Sequence, residues 1–518
     1  MIGLALFAGF LLAWIRPGRA RGAGIVAQGF ALIGTIVGLF TIIAGIPNAN
    51  RDLSVASGIG GLPEGPYART LAEAKLDYEA GLISARAVHT EMEQTTAESA
   101  RRDDAEVRVS RIRPAHFFVA AVGPGLIVML ADTDAGSVIT AAQSGASWRY
   151  LMVLPLVLLI PILFFVQEVA VRLGIVTGKG HGELIRERFG IGWAAVSVLT
   201  LFVAAVGALV TEFAGIAGAG QLFGVPPWLT VSTATMLLIA LGLSGSYTRM
   251  ERMAIAIGLF ELAFLPAALM AHPHLSAIAH DLPSFPIGSH DYLFFVAANV
   301  GAVIMPWMVF YQQGAVIDKG LTVRHLRAAR IDTLLGAVLT QLIMIAIVVA
   351  VAATLAGPGP ARSLDNVESI AAALEPFLGW SGARLTFGLG IVGAGFVAAI
   401  VVSLAGSWGI MEALQLPHSL SDRPREARWF YGVYTFAHVG GAIVVLSGFS
   451  LVRLTVDVEV MNAILLPIVL GFLLLLEARV LPDEFRMKGL HRYGVWMMAG
   501  AVMVFGVLMA ARTGATWL

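Results

Sequence analysis

Polar and apolar positions divide the chain into three unequal parts. Residues 1–46 hold two apolar stretches, Met1–Ile15 and Gly24–Ile46, with Arg16, Arg19 and Arg21 between them. The first is short for a bilayer crossing; the second is long enough, at ~20 residues. Together they predict an N-terminal hydrophobic hairpin. Residues 47–114 are polar: a Gly/Pro-rich piece at Gly58–Pro66, an amphipathic helix expected over about Leu71–Ala100, and a charge-dense tail at Arg101–Arg113. They read as a solvent-exposed linker. From Ala115 onward, apolar segments follow one another with short polar loops between. Hydropathy predicts spans at 115–143, 149–175, 191–220, 227–244, 252–271, 291–316, 332–356, 384–413, 428–449, 455–480 and 491–511, eleven in all. Residues 115–518 are therefore the core of an all-α polytopic membrane protein.

The loops alternate in charge. One set carries Lys179, Arg186 and Arg188; Arg249 and Arg252; Lys319, Arg324, Arg327 and Arg330; Arg423, Arg425 and Arg428; and Arg479, Arg486, Lys488 and Arg492. The opposite set carries little beyond Arg149, Arg362 and Arg453. The positive-inside rule places the first set in the cytoplasm, so the core and its linker begin there. The N-terminal hairpin runs against this rule, because two full crossings would put its arginine loop outside. Two readings stay open: a fused accessory piece, or a first stretch lying at the interface. Met1–Ile15 also lacks the basic start and small-residue cleavage site of a signal peptide.

Composition narrows the class. Of 518 residues, 58% are hydrophobic and 13% charged, a membrane rather than a soluble balance. Lys plus Arg number 34, and so do Asp plus Glu, so net charge points to no nucleic-acid partner. Cysteine is absent, which excludes disulfides, thiolate metal ligands and cysteine nucleophiles.

The chemistry concentrates in the first core span. Gly123–Gly145 reads GPGLIVMLADTDAGSVITAAQSG and carries Asp132 and Asp134 in an otherwise apolar segment. A charged side chain at bilayer depth costs ~2.5–3.5 kcal/mol on insertion scales and usually marks a pathway or a pairing site. Residues two apart point to nearly opposite sides of a helix, so these two acids face one ion only if the helix unwinds. Gly136 favours unwinding, and unwound backbone at membrane depth must line a cavity or be buried in protein. The sixth core span, Asp291–Val316, contains Pro306, which cannot donate a backbone hydrogen bond and frees carbonyls near Ala302 and Val303. Breaks in spans one and six, five spans apart, predict a transporter of two inverted five-helix repeats. The carboxyl ends of the half-helices favour a cation between them.

These two segments resemble the natural resistance-associated macrophage protein (NRAMP) family of divalent-metal transporters. Gly123–Gly125 matches the family's GPG. Asp134, Ala135, Gly136 and Ser137 stand at its DPGN motif, and Ala302, Met305, Pro306, Trp307 and Met308 at its AxxMPHN motif. Gln167–Glu187 and the surroundings of Gly406 are similar too, so the likeness covers roughly 115–511. It implies the LeuT-like inverted-repeat fold of 5+5 helices with an eleventh added. It also implies metal ligands at Asp134, Ser137, Met305 and the Ala302 carbonyl; Asp132 is an extra carboxylate outside the family pattern, and its chemistry makes it a further candidate for the metal site. No cofactor is implied, because the metal is cargo, and no enzymatic activity. The implied location is a bacterial inner membrane.

The departures bear on substrate and coupling. Ser137 replaces the motif Asn, Ala135 the Pro, and Trp307 the His tied in the family to proton movement. The third-helix pattern reads Thr211-Glu212-Phe213-Ala214-Gly215, keeping one acid and losing the second. Glu459 stands near the family's tenth-helix Gln. This pattern resembles the NRAMP-related magnesium transporter branch, which lacks the usual proton relay. Oxygen ligands suit hydrated Mg²⁺, whereas the Met305 thioether suits Mn²⁺ or Fe²⁺ better. The expectation is an importer of Mg²⁺ and/or Mn²⁺ with weak or no proton coupling. The alternatives are a proton-coupled Mn²⁺/Fe²⁺ importer and a non-transporting metal sensor. A zinc protease is excluded by the lack of HExxH; an aspartyl protease could pair Asp134 with Glu212 but its dyad motif is absent from the sequence, and a transporter of organic cations or amino acids fits the Asp132/Asp134 pair and Met305 less well than a metal carrier. Further expectations are Glu212 pairing with a basic residue near a cytoplasmic end, with a proton relay as the alternative; Asp457 and Glu459 lying at an interface, with Glu459 in the ion pathway as the alternative; Gln341 and Asn462 making interhelical hydrogen bonds; and His181 on a loop surface.

Overall fold

The computed structural model describes residues 123–515 except 245–246, 282–283, 356–363, 365, 421, 423 and 448–450. The N-terminal hairpin, the linker and its amphipathic helix lie outside the described residues. All described elements are helical. In chain order they are α1 (Pro124–Asp132), α2 (Ala135–Trp148), α3 (Val153–Thr177), α4 (His181–Phe189), α5 (Ile191–Leu222), α6 (Pro227–Gly242), α7 (Tyr247–Gly258), α8 (Phe264–Met270) and α9 (Leu275–Asp281). There follow α10 (His290–Val303), α11 (Pro306–Asp318), α12 (Leu326–Thr354), α13 (Val367–Ala372), α14 (Glu375–Leu414), α15 (Arg428–Leu446), α16 (Leu451–Val480) and α17 (Gly489–Ala515).

Among the described residues nine helical segments are long and apolar enough to cross a membrane. The first core span is divided between α1 and α2. The fourth, α6, is a shorter apolar helix. Local signals end the helices where expected. Gly178 closes α3 in the left-handed conformation, which costs glycine nothing. Prolines open α1, α6 and α11, where the missing N–H has no helical partner anyway.

The first and sixth spans are the two that the sequence marked for interruption. Between α1 and α2, Thr133 leaves the helix (φ −81°, ψ 47°) and Asp134 is extended (ψ 174°). Between α10 and α11, Ile304 and Met305 are non-helical (ψ 87° and 142°). The start of α1 is held by a neighbour. Asp332 of α12 accepts from the backbone N–H groups of Gly123, Gly125 and Leu126 at 3.1, 2.8 and 3.3 Å. A carboxylate there satisfies donors that a helix N-terminus leaves over and complements its dipole. A Cβ on Gly125 would crowd that carboxylate, which is a physical reason for the second glycine of GPG.

Candidate metal centre

The two breaks meet. The Ser137 hydroxyl on α2 donates to the Ala302 carbonyl on α10 at 2.8 Å, one of the oxygens freed by the break before Pro306. Asp134 caps α2, one carboxylate oxygen accepting from Ser137 N–H at 2.6 Å. Its other oxygen, Oδ2, is buried with no hydrogen-bond partner. Met305 is fully buried at the second break. Asp132 ends α1 facing α12: Oδ2 accepts from the Thr340 hydroxyl at 3.2 Å, and Oδ1 has no partner.

Three further acids surround the first break. Glu212 of α5 accepts from the Ala135 N–H at 3.0 Å and adjoins the Asp134 carboxyl group. This bond exists because Ala135, unlike a proline, has an N–H to give. Gly215, one turn further along α5, lies where a Cβ would overlap that of Ala135, so losing a side chain there lets α5 approach the break. Glu459 of α16 is fully buried. Its Oε2 accepts from Asn462 at 3.0 Å, while Oε1 has no partner and lies against Gly136. A Cβ on Gly301 would overlap the Glu459 backbone carbonyl, so α10 and α16 are packed backbone to backbone. Glu261, in the single 3₁₀ turn between α7 and α8, is fully buried with neither oxygen bonded. It acts electrostatically on Asp132 and Asp134.

Asp132, Asp134, Glu212, Glu261 and Glu459 are all 0% exposed. No Lys, Arg or His is among the groups that act on them. Uncompensated buried charge is costly enough that it demands a counter-ion or a proton. Among the described residues no three His, Asp or Glu side chains converge tightly enough to hold a metal alone. A bound cation there would draw on mixed donors: carboxylate, hydroxyl, carbonyl and thioether.

Several sequence expectations fall differently. Glu212 pairs with the Ala135 backbone, not with a basic residue, because the Glu212–Gly215 turn of α5 packs against the break. Glu459 is buried against the break, whereas Asp457 at the same helix end is less enclosed. Asn462 bonds within its own helix, and the Gln341 amide has no partner. His181 is fully buried, its Nδ1 3.1 Å from Gln313 of α11, and burial pushes its pKa down to about 4. The glycines on either side let the loop sink: a Cβ at Gly180 would overlap Glu412 of α14, and Gly182 N–H donates to that carboxylate at 2.9 Å. Trp307 is fully buried with its indole N–H unpartnered. Glu261 and Asp332 were missed. A lone acid inside an apolar span was the available signal for Glu261.

Comparison with known proteins follows the same segments. The family model described as natural resistance-associated macrophage protein-like matches residues 125–512. A protein named divalent metal cation transporter MntH from Pectobacterium carotovorum is 28% identical over 316 residues, 60% of this chain and 74% of its own. Its namesake from Ralstonia nicotianae is 29% identical over 297 residues, 55% and 67% of the two chains. Among solved structures, the Eremococcus coleocola manganese transporter superposes with a TM-score of 0.62 at 18% identity, over 76% of this chain and 87% of that one. MhsT in complex with L-phenylalanine superposes at 0.54 and 12% identity, over 79% and 99%. The two structural likenesses speak for the fold alone, the LeuT-like arrangement.

Proposed function

Because the chain belongs to the natural resistance-associated macrophage protein-like family, whose members are transporters and not enzymes, we propose that it imports divalent metal cations across the membrane by alternating access. The observation that carries this reading is the free, fully buried Asp134 oxygen where the two broken helices meet. Asp134, Ser137, Met305 and the Ala302 carbonyl are the proposed ligands, with Asp132 as a nearby acid attracting the ion. The Ser137 hydroxyl now spent on Ala302 would turn to the metal, and the carbonyl would be released with it. Since no member of the acid cluster is exposed, entry and exit require the helices of spans one, two, six and seven to move against the rest. The core N-terminus is proposed to be cytoplasmic.

For the ion, we favour Mg²⁺ and/or Mn²⁺. Five buried carboxylates supply hard oxygen chemistry, and Met305 keeps a softer ion within range. Weak or absent proton coupling is supported by Trp307 and Gly215 standing where the family carries a His and a second acid. A second reading, proton-coupled Mn²⁺ import, is favoured by one observation: Glu212 adjoins Asp134, so a proton has a neighbouring carboxylate to move to.

Flux into proteoliposomes with an internal pH dye tests both. Mg²⁺ or Mn²⁺ uptake without acidification, lost in Asp134→Asn, is the expected result. Uptake with stoichiometric acidification would replace it by the coupled reading. Metal-dependent thermal stabilisation with no flux of either ion would instead indicate a sensor.

A further inference from the structure

A cavity of about 540 Å³ lies away from the breaks, where α3 nears its end, α12 begins and the α16–α17 loop turns. This is the side that the loop charges assign to the cytoplasm. Its lining combines Phe164 and Phe165 on α3 with Arg330, Arg486, Lys488 and His491.

The charges already present are partly consumed. Glu168 accepts from Arg172 at 2.7 Å through one oxygen and from Arg330 Nε at 2.6 Å through the other. Arg172 also donates to the Phe485 carbonyl at 2.7 Å. Glu168 and Arg172, both lining the cavity and both buried, thus form its fixed wall. What remains open is mostly cationic. Among the described residues, Arg330 bonds only through Nε, which leaves its two terminal guanidinium nitrogens without an acceptor there. Arg486 bonds Asp483 and the Leu481 carbonyl at 2.6 Å each, leaving one nitrogen. Lys488 has no partner among the described residues. The single uncommitted carboxylate of the lining is Glu484.

We propose that this cavity binds a membrane phospholipid, its phosphate held by Arg330, Arg486 and Lys488, with preference for an anionic headgroup. Cationic pockets between spans on the cytoplasmic side suit such headgroups, and guanidinium nitrogens match phosphate oxygens. The apolar part of the lining decides between a lipid and a water-soluble phosphate. Phe165 stacks edge-on with His491 at 5.2 Å, so aromatic and polar parts of the lining are in contact. Leu326 and Phe485 line the cavity too, so with the two phenylalanines it offers apolar surface that an acyl chain covers and a soluble anion does not. The lipid would touch α3 and α12 on one side and the α16–α17 loop on the other.

The test uses the full chain in detergent, titrated with phosphatidylglycerol, phosphatidylcholine or water-soluble glycerol phosphate. Thermal melting and native mass spectrometry are the readouts. Lys488→Glu is the main variant, because the Lys488 side chain makes no bond among the described residues; Arg486→Gln is the second. Phosphatidylglycerol should raise the wild-type melting temperature by about 2 °C or more beyond phosphatidylcholine, with lipid retained in the spectrum. Lys488→Glu should remove most of that difference while Mn²⁺-dependent stabilisation stays as in wild type. That second readout separates failure of this site from failure of the metal site. An equal response in the variants, equal stabilisation by both lipids, or full reproduction by glycerol phosphate would each overturn the proposal.

Discussion

The break between α1 and α2 is surrounded by ionisable groups; the break between α10 and α11 has none within it. Both use the same local device, an extended residue just before a new helix: Asp134 in one, Met305 in the other. They differ in how the new helix is capped. Asp134 offers its own carboxylate to Ser137 N–H. Met305 has no oxygen to offer, and Pro306 removes one of the donors that would need it. Breaking a span is therefore a backbone matter that proline settles without charge. The acids at the first break exceed what capping requires, and this excess is what points to a cation. The second break contributes a carbonyl and a thioether, neutral donors that shape a site without adding to its charge.

Four substitutions would break or sharpen this contrast. The largest effect is expected from Asp134→Asn. Asparagine still caps a helix, so the fold should survive and the monodisperse yield stay unchanged. Metal-dependent stabilisation and flux should vanish; retained flux would show that the charge of Asp134 is dispensable. Next, Gly301→Ala pushes α10 off the Glu459 carbonyl. Overpacking of this kind costs about 1–3 kcal/mol, read as a lower melting temperature with reduced flux, and an unchanged melting curve would contradict the backbone-to-backbone packing.

Ala135→Pro restores the residue that the family motif carries and removes the N–H given to Glu212. Losing a hydrogen bond to a buried carboxylate costs about 1–3 kcal/mol. A double-mutant cycle with Glu212→Gln should show coupling between the two positions; strict additivity would argue against the bond. The smallest and most selective change is Met305→Ala. It should weaken Mn²⁺ binding about tenfold, comparable to perturbing a metal-site group, and leave Mg²⁺ flux nearly untouched. Equal losses for both ions would give Met305 a packing role only.

Much of the site was legible because membrane sequences punish polar residues. An acid or a proline inside an apolar run stands out against its neighbours, so Asp132, Asp134 and Pro306 were visible without any fold. Glu212 and Glu459 were visible as residues but not as neighbours. Glu459 lies near a predicted span end, and only the packing of α16 against Gly136 and Gly301 brings it to the first break. His181 was misread for a similar reason. A histidine between glycines in a short loop looks solvated until those glycines let the loop sink against α11 and α14.

The sequence by itself determined the membrane class, the order of spans, the positions of both breaks and the family, because each follows from local hydropathy, proline and glycine chemistry, or a contiguous motif. Only the tertiary structure decided which side chains share a space. The Ser137–Ala302 bond, the Glu212–Ala135 bond, the Asp332 cap on α1 and the gathering of five acids each join residues from different helices. Their contact depends on helix rotation and on the absence of a Cβ at a few glycines, and periodicity within one span carries no record of what another span presents to it.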